Sequence, residues 1–116
     1  MNMKLIMALV DDHLTERVIE AARKAGATGS TVITSARGEG LTPQKTFLGL
    51  DLTVARDVLL FLVAAPRARE ILETIASEGG FDDAAGSGIA FVLGIDDAVG
   101  MSTQLPTIKH EIEEEV

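Results

Sequence analysis

Residues 58–63 read Val58-Leu59-Leu60-Phe61-Leu62-Val63, six apolar residues in succession. Bounded by Arg56-Asp57 on one side and Ala64-Ala65-Pro66 on the other, the run is short and rich in strand-forming side chains, so it predicts a β-strand over residues 57–64. A strand in a sheet with one wet face alternates apolar with polar residues. This one does not alternate, so both of its faces must be covered, and what covers them decides the fold.

Working outward, Pro66 stands in the first turn of a helix that carries Ala68, Ile71, Leu72, Ile75 and Ala76 on one face, with Gly79 beyond its end. Ile89 to Ile95 is the next apolar strand. Upstream, Leu5 to Val10 is a strand ended by Asp11-Asp12, and Leu14, Val18, Ala21, Ala22 and Ala25 form the stripe of an amphipathic helix. Asp11 or Asp12 is expected to cap that helix and Gly26 to end it. The β-branched stretch Ser30 to Ala36 is a further strand. The order β-α-β-loop-β-α-β predicts an α+β ferredoxin-like sandwich, a four-stranded antiparallel sheet with two helices on one face, as a single domain over residues 1–116. Two helices cover one face only, and 116 residues supply no third. The other face is therefore expected to be covered by further copies of the chain.

Two glycine-containing segments interrupt this frame. Arg37 to Arg56 is twenty residues long, contains Gly38, Gly40, Pro43 and Gly49, and has no convincing period. A loop of that length in a compact domain is usually functional or a surface excursion. If its flanking strands pair as a hairpin it projects as an arm, with Lys45, Phe47 and Leu48 available to a partner. The second segment, Gly79 to Gly88, ends in Gly86-Ser87-Gly88, where glycines let backbone N–H groups approach a ligand and also simply make turns.

Composition excludes several classes of function. Eighteen acidic against ten basic residues give a net charge of −8, which repels phosphate backbones, and four Phe with no Trp or Tyr supply no stacking platform. Nucleic acid is not an expected partner. No Cys is present, so disulfides, thiolate metal sites and a Cys nucleophile are excluded. No run approaches the ~20 apolar residues of a membrane span, and the short amino-terminal run is no signal peptide, so the expectation is a cytoplasmic protein without direct membrane insertion. With only His13 and His110 there is no zinc-ligand spacing and no Ser-His-Asp arrangement. The pairs Asp11-Asp12, Asp82-Asp83 and Asp96-Asp97 fall at element ends, where caps and solubility explain them. Residues 107–116 read as an acidic tail. Nothing forms a catalytic constellation, and the protein is not expected to be an enzyme. The surplus is apolar: 47% hydrophobic residues and a mean hydropathy of +0.27 in an acidic chain agree with a sheet face reserved for association.

The residues also suggest a family. Lys4-Leu5-Ile6-Met7-Ala8, the run Ala25-Gly26-Ala27-Thr28-Gly29-Ser30-Thr31-Val32, Arg37-Gly38-Glu39-Gly40 opening the long loop, and Gly86-Ser87-Gly88 ahead of Phe91-Val92 occur in an order and spacing that resembles the PII family of signal-transduction proteins over most of the chain. The resemblance implies a homotrimer with its sheets facing inward. It implies that residues 37–56 are the T-loop, the element with which such proteins engage a membrane transporter or an enzyme. It also implies that a small effector, commonly an adenine nucleotide, sits between subunits. On this carry-over Thr31, Arg37, Gly38 and Gly40 line one wall of the cleft, while Gly86, Ser87 and Gly88 of the B-loop supply donors from the other.

The departures are specific. Relatives that hold ATP place Lys in the B-loop and Arg after the last strand; this chain has Asp82, Asp83 and Ile89, then Val99-Gly100-Met101-Ser102. Losing charge-assisted contacts worth about 1.5–3 kcal/mol each predicts weak ATP binding. The loop contains no Tyr, which excludes tyrosine uridylylation. The competing readings are a trimeric ferredoxin-like small-molecule-binding protein without a switching arm and, further off, a small metal-dependent enzyme. The effector and the partner cannot be identified from the residues.

Overall fold

The computed structural model describes residues 2–36, 46–47, 50–51, 56–83 and 87–100. Its elements follow the expected order: β1 (Met3–Asp11), α1 (Thr15–Lys24), β2 (Thr31–Ala36), the short β3 (Thr46–Phe47) and β4 (Leu50–Asp51), β5 (Arg56–Ala64), α2 (Ala68–Gly79) and β6 (Gly88–Gly94). β2, β5, β1 and β6 form one antiparallel sheet in that spatial order, and β3 pairs with β4 separately. This is the ferredoxin-like arrangement, with β5 and β1 central and β2 and β6 at the edges.

Period-two alternation divides each central strand between two layers. Ile6, Ala8 and Val10 of β1 and Leu59, Phe61 and Val63 of β5 pack with Val18 and Ala22 of α1 and with Ile71 and Ile75 of α2 in a single buried cluster. The spacings 18/22 and 71/75 put each helix pair on one stripe, which is why these helices dock where they do. The intervening residues point to the opposite face, and the register aligns them into rows. Ile89, Leu9, Val58 and Ile33 form one row; Phe91, Met7, Leu60 and Thr31 the next; Leu93, Leu5 and Leu62 the third. Apart from Thr31 every member is apolar. Ile33 is 50% exposed, Leu93 39% and Phe91 37%.

Several details differ from the sequence expectation, among them Pro66, which stands in a 3-10 turn over Ala65–Arg67 ahead of α2 and not in the first turn of the helix itself. Arg56 belongs to the strand and is buried, so β5 begins one residue earlier and the intervening segment ends at residue 55. Neither Asp11 nor Asp12 caps α1 through its side chain; Asp11 is the last residue of β1, and a 3-10 turn over Asp12–Leu14 leads into the helix. Gly79 is the last residue of α2, and Gly80, at φ 65, takes the left-handed position that ends it. Thr46–Phe47 pairs with Leu50–Asp51 within a stretch that carries no period in sequence, because two residues per strand are too few to show one.

Candidate functional site

The ends of β2 and β1 and the starts of β5 and β6 lie together at one end of the sheet, since the sheet is antiparallel throughout. β2 and β5 pair from Thr31↔Leu60 to Ala36↔Arg56, with a register shift between Ile33 and Ala36. β2 thus ends and β5 begins at one cross-strand pair, Ala36↔Arg56. Most of the segment 37–55, including Arg37, Gly38, Gly40, Lys45 and Leu48, lies outside the described residues, as does Gly86. Phe47 is placed in β3 by its backbone.

The same end of the sheet carries a buried polar network that sequence reasoning missed. Arg56, whose side chain is 7% exposed, places Nη1 2.9 Å from Oδ1 of Asp11. Nη1 also donates to the carbonyl oxygen of Ser87 at 3.3 Å. The next residue, Asp57, accepts a 2.6 Å hydrogen bond from Oγ1 of Thr15, the first residue of α1. An Arg-Asp dipeptide opening an otherwise apolar strand was the signal available: charges at that position must be solvated or paired, and here they are paired.

The glycine-rich segment is built by packing as well as by turns. A Cβ on Gly79 or on Gly88 would stand 2.3 Å from Cε1 of Phe81, so the Phe81 ring occupies a slot that only two glycines leave open. At Gly88 the carbonyl oxygen of Leu9 is also 2.8 Å from that Cβ position. Ser87 turns its hydroxyl inward and donates to the carbonyl oxygen of Gly80 at 3.0 Å. Asp82 and Asp83 are exposed beside it.

Thr31, the remaining described candidate, is exposed on edge strand β2, whereas Ser87 and Gly88 stand at edge strand β6. β5 and β1 lie between these edges, a separation of about 14 Å at ordinary strand spacing. Within one chain the two proposed walls do not meet. A groove of about 400 Å³ between α2 and β6 includes Phe81, Asp82, Gly88 and Ile89, and a smaller cavity of about 170 Å³ beside α1 includes Thr28, Gly29 and Ser30. Neither joins the two edges. Among the described residues no group of three or more His, Asp or Glu is placed to hold a metal ion, and no helix is long and apolar enough to cross a membrane.

Comparison with known proteins bears on this geometry. Residues 3–104 match the family described as nitrogen regulatory protein P-II. CPII of Thiomonas intermedia K12 bound to ADP, AMP and acetate matches with a TM-score of 0.64 at 20% identity, over 85% of this chain and 91% of that one. The same protein bound to ADP and bicarbonate matches at 0.60 and 22% identity, over 82% and 87% of the two chains. A PII-like signaling protein from Thermus thermophilus matches at 0.60 and 27% identity, over 88% of this chain and 98% of its own. At 20% and 22% identity the CPII likeness concerns the fold. No curated protein matches the chain.

Proposed function

The chain belongs to the nitrogen regulatory protein P-II family, and on that premise we propose that it is a homotrimeric regulator, not an enzyme, that binds a small effector between its subunits. The arm of residues 37–55 then alters the activity of a partner, a membrane transporter or an enzyme. The carrying observation is the placement of Thr31 and Ser87-Gly88 on opposite edges of one sheet. Residues so separated can line one cleft only when two copies meet, β2 of one beside β6 of the next. The apolar rows across the open sheet face favour the same assembly: a face of Leu, Ile, Val, Met and Phe left in water forfeits about 25 cal/mol for each Å² that association would bury.

An adenine nucleotide is the effector that the family and the ADP- and AMP-bound CPII structure suggest. Arg37 at the arm root and the backbone donors of the Gly86-Ser87-Gly88 turn are the groups we assign to it, with Thr31, Gly38 and Gly40 on the arm side. Exposed Asp82 and Asp83 disfavour a third phosphate, so ADP or AMP suits the cleft better than ATP. Lys45, Phe47 and Leu48 are assigned to the partner. The test is isothermal titration of the trimer with AMP, ADP and ATP. Binding of ADP or AMP with one site per subunit supports the reading, and no heat with any adenine nucleotide contradicts the effector assignment.

A further inference from the structure

Three segments distant in sequence meet on one side chain at the head of the sheet. Arg56 opens β5, and its cross-strand partner Ala36 closes β2, so both ends of the arm are attached at this pair. From there the guanidinium reaches over β1. Nη1 lies 2.9 Å from Asp11, the last residue of β1, and 3.3 Å from the carbonyl oxygen of Ser87, immediately before β6. β5 and β6 are not neighbours; two strand spacings, about 10 Å, separate them. One side chain therefore links the root of the arm to the turn that precedes β6. The link continues through Ser87, whose hydroxyl donates to Gly80 at the end of α2.

The chemistry favours a definite geometry. A guanidinium withdrawn from water is costly unless its charge is paired, so Arg56 is held by the carboxylate of Asp11 on one side and by the Ser87 carbonyl on the other. The planar fork of Arg presents several donors in fixed directions, which a Lys ammonium does not. A displacement of Ser87 must either break this contact or move Arg56 and the strand pair that carries the arm.

We propose that Arg56 is a positioning residue that couples the glycine-rich turn at Ser87 to the root of the arm. Its regulatory meaning rests on the function proposed above, while the coupling itself requires no ligand. An effector that shifts the turn thereby biases the arm, provided the two arm states differ in affinity for it.

A ligand-free double-mutant cycle tests the coupling. The chain has no Cys, so Thr46→Cys creates a single spin-label position on the arm. Ser87→Ala removes the hydroxyl tie to Gly80, which frees the turn to shift, and retains the backbone carbonyl to which Arg56 donates. In the protein with Arg56, Ser87→Ala changes the ratio of mobile to immobile label by about fivefold, the low end of ordinary coupling. In the Arg56→Gln protein the same change leaves the ratio unaltered. Arg56→Lys keeps the charge opposite Asp11 without the fork and is expected to lose the response as well; it carries the cycle if Arg56→Gln fails to assemble. A response of equal size with and without Arg56, or no response with Arg56 present, overturns the proposal. ADP is then titrated into the same labelled proteins. A label response to ADP with Arg56, lost in Arg56→Gln while the nucleotide still binds, extends the coupling to the effector; retention of that response overturns it. Failure of ADP to bind even with Arg56 contradicts the effector assignment and leaves the ligand-free cycle to decide the coupling.

Discussion

Thr15 Oγ1 donates a 2.6 Å hydrogen bond to Asp57 Oδ2, joining the first residue of α1 to the second residue of β5 across 42 positions of sequence. Both residues are buried, at 5% and 7% exposure. The contact fixes where α1 begins relative to the sheet end that carries the arm, in place of the side-chain cap that α1 lacks. Thr15→Val keeps the shape and removes the donor, taking a partner from a buried carboxylate. The expected cost is about 1–3 kcal/mol, read as a lower denaturant midpoint, with Thr15→Ser retaining most of the stability. An unchanged midpoint in Thr15→Val would remove the contact from the forces holding this end together.

The glycines at 88 and 94 separate packing from turn formation. Gly88 has no room for a Cβ between Phe81 and the Leu9 carbonyl, whereas a Cβ on Gly94 meets nothing within 4 Å. Gly88→Ala is expected to destabilise by about 1–3 kcal/mol, the usual range for overpacking, and Gly94→Ala by at most about 0.5 kcal/mol. In a Phe81→Ala background, itself destabilised by the lost packing of the ring against the core, Gly88→Ala is expected to cost less than in the parent, with only the Leu9 carbonyl still against the new Cβ. Thermal or urea unfolding of these variants checks the ranking.

Much of this fold is legible in sequence because its signals are local. The unbroken run 58–63, the stripe at 18 and 22, and the stripe at 71 and 75 each place an element and its buried face. The head of the sheet is not legible in the same way. Arg56 ahead of an apolar run reads as the solvated end of a loop, and Asp11 reads as a helix cap; that they pair across 45 positions follows only from the register of β1 on β5. Thr31, Ser87 and Gly88 are assigned only by resemblance to a family; what the sheet order adds is that they stand on opposite edges, which no linear motif carries. The glycine at 88 is read from sequence as a way to present backbone donors; the structure adds a steric demand from Phe81 that a pattern of residue types does not reveal.

The open sheet face predicts its own disruption. Leu60 sits mid-row between Met7 and Thr31, on the face away from the helices. A charge there is cheap in an isolated chain and costly in an apolar interface, where an unpaired buried ion loses several kcal/mol. Light scattering of the unaltered protein is expected to give about three times the 12.3 kDa chain mass. Leu60→Asp is expected to give a folded monomer. A monomeric parent protein would contradict the assembly.

Charge in the glycine-rich segment predicts a nucleotide preference. With Asp82 and Asp83 exposed beside Ser87, ATP is expected to bind at least about tenfold more weakly than ADP, the equivalent of one missing charge-assisted contact. Asp82→Lys should narrow that gap chiefly by improving ATP. Equal affinities in the parent protein would show that these carboxylates do not face the phosphates.

The central claim is that one effector site takes one wall from each of two subunits, and subunit mixing tests it most directly. Thr31→Glu alters only the β2 wall and Ser87→Asp only the β6 wall, each placing a carboxylate against the phosphates. Each variant alone is expected to lose ADP binding while remaining trimeric. Unfolded and refolded together in equal amounts, they should form mixed trimers in which one cleft of three has two unaltered walls, about a quarter of all clefts once the unmixed trimers of a random assembly are included, and titration should recover ADP binding at that fraction with the parent affinity. No recovery in verified mixed trimers, or parent-like binding by either variant alone, would contradict a site shared between subunits.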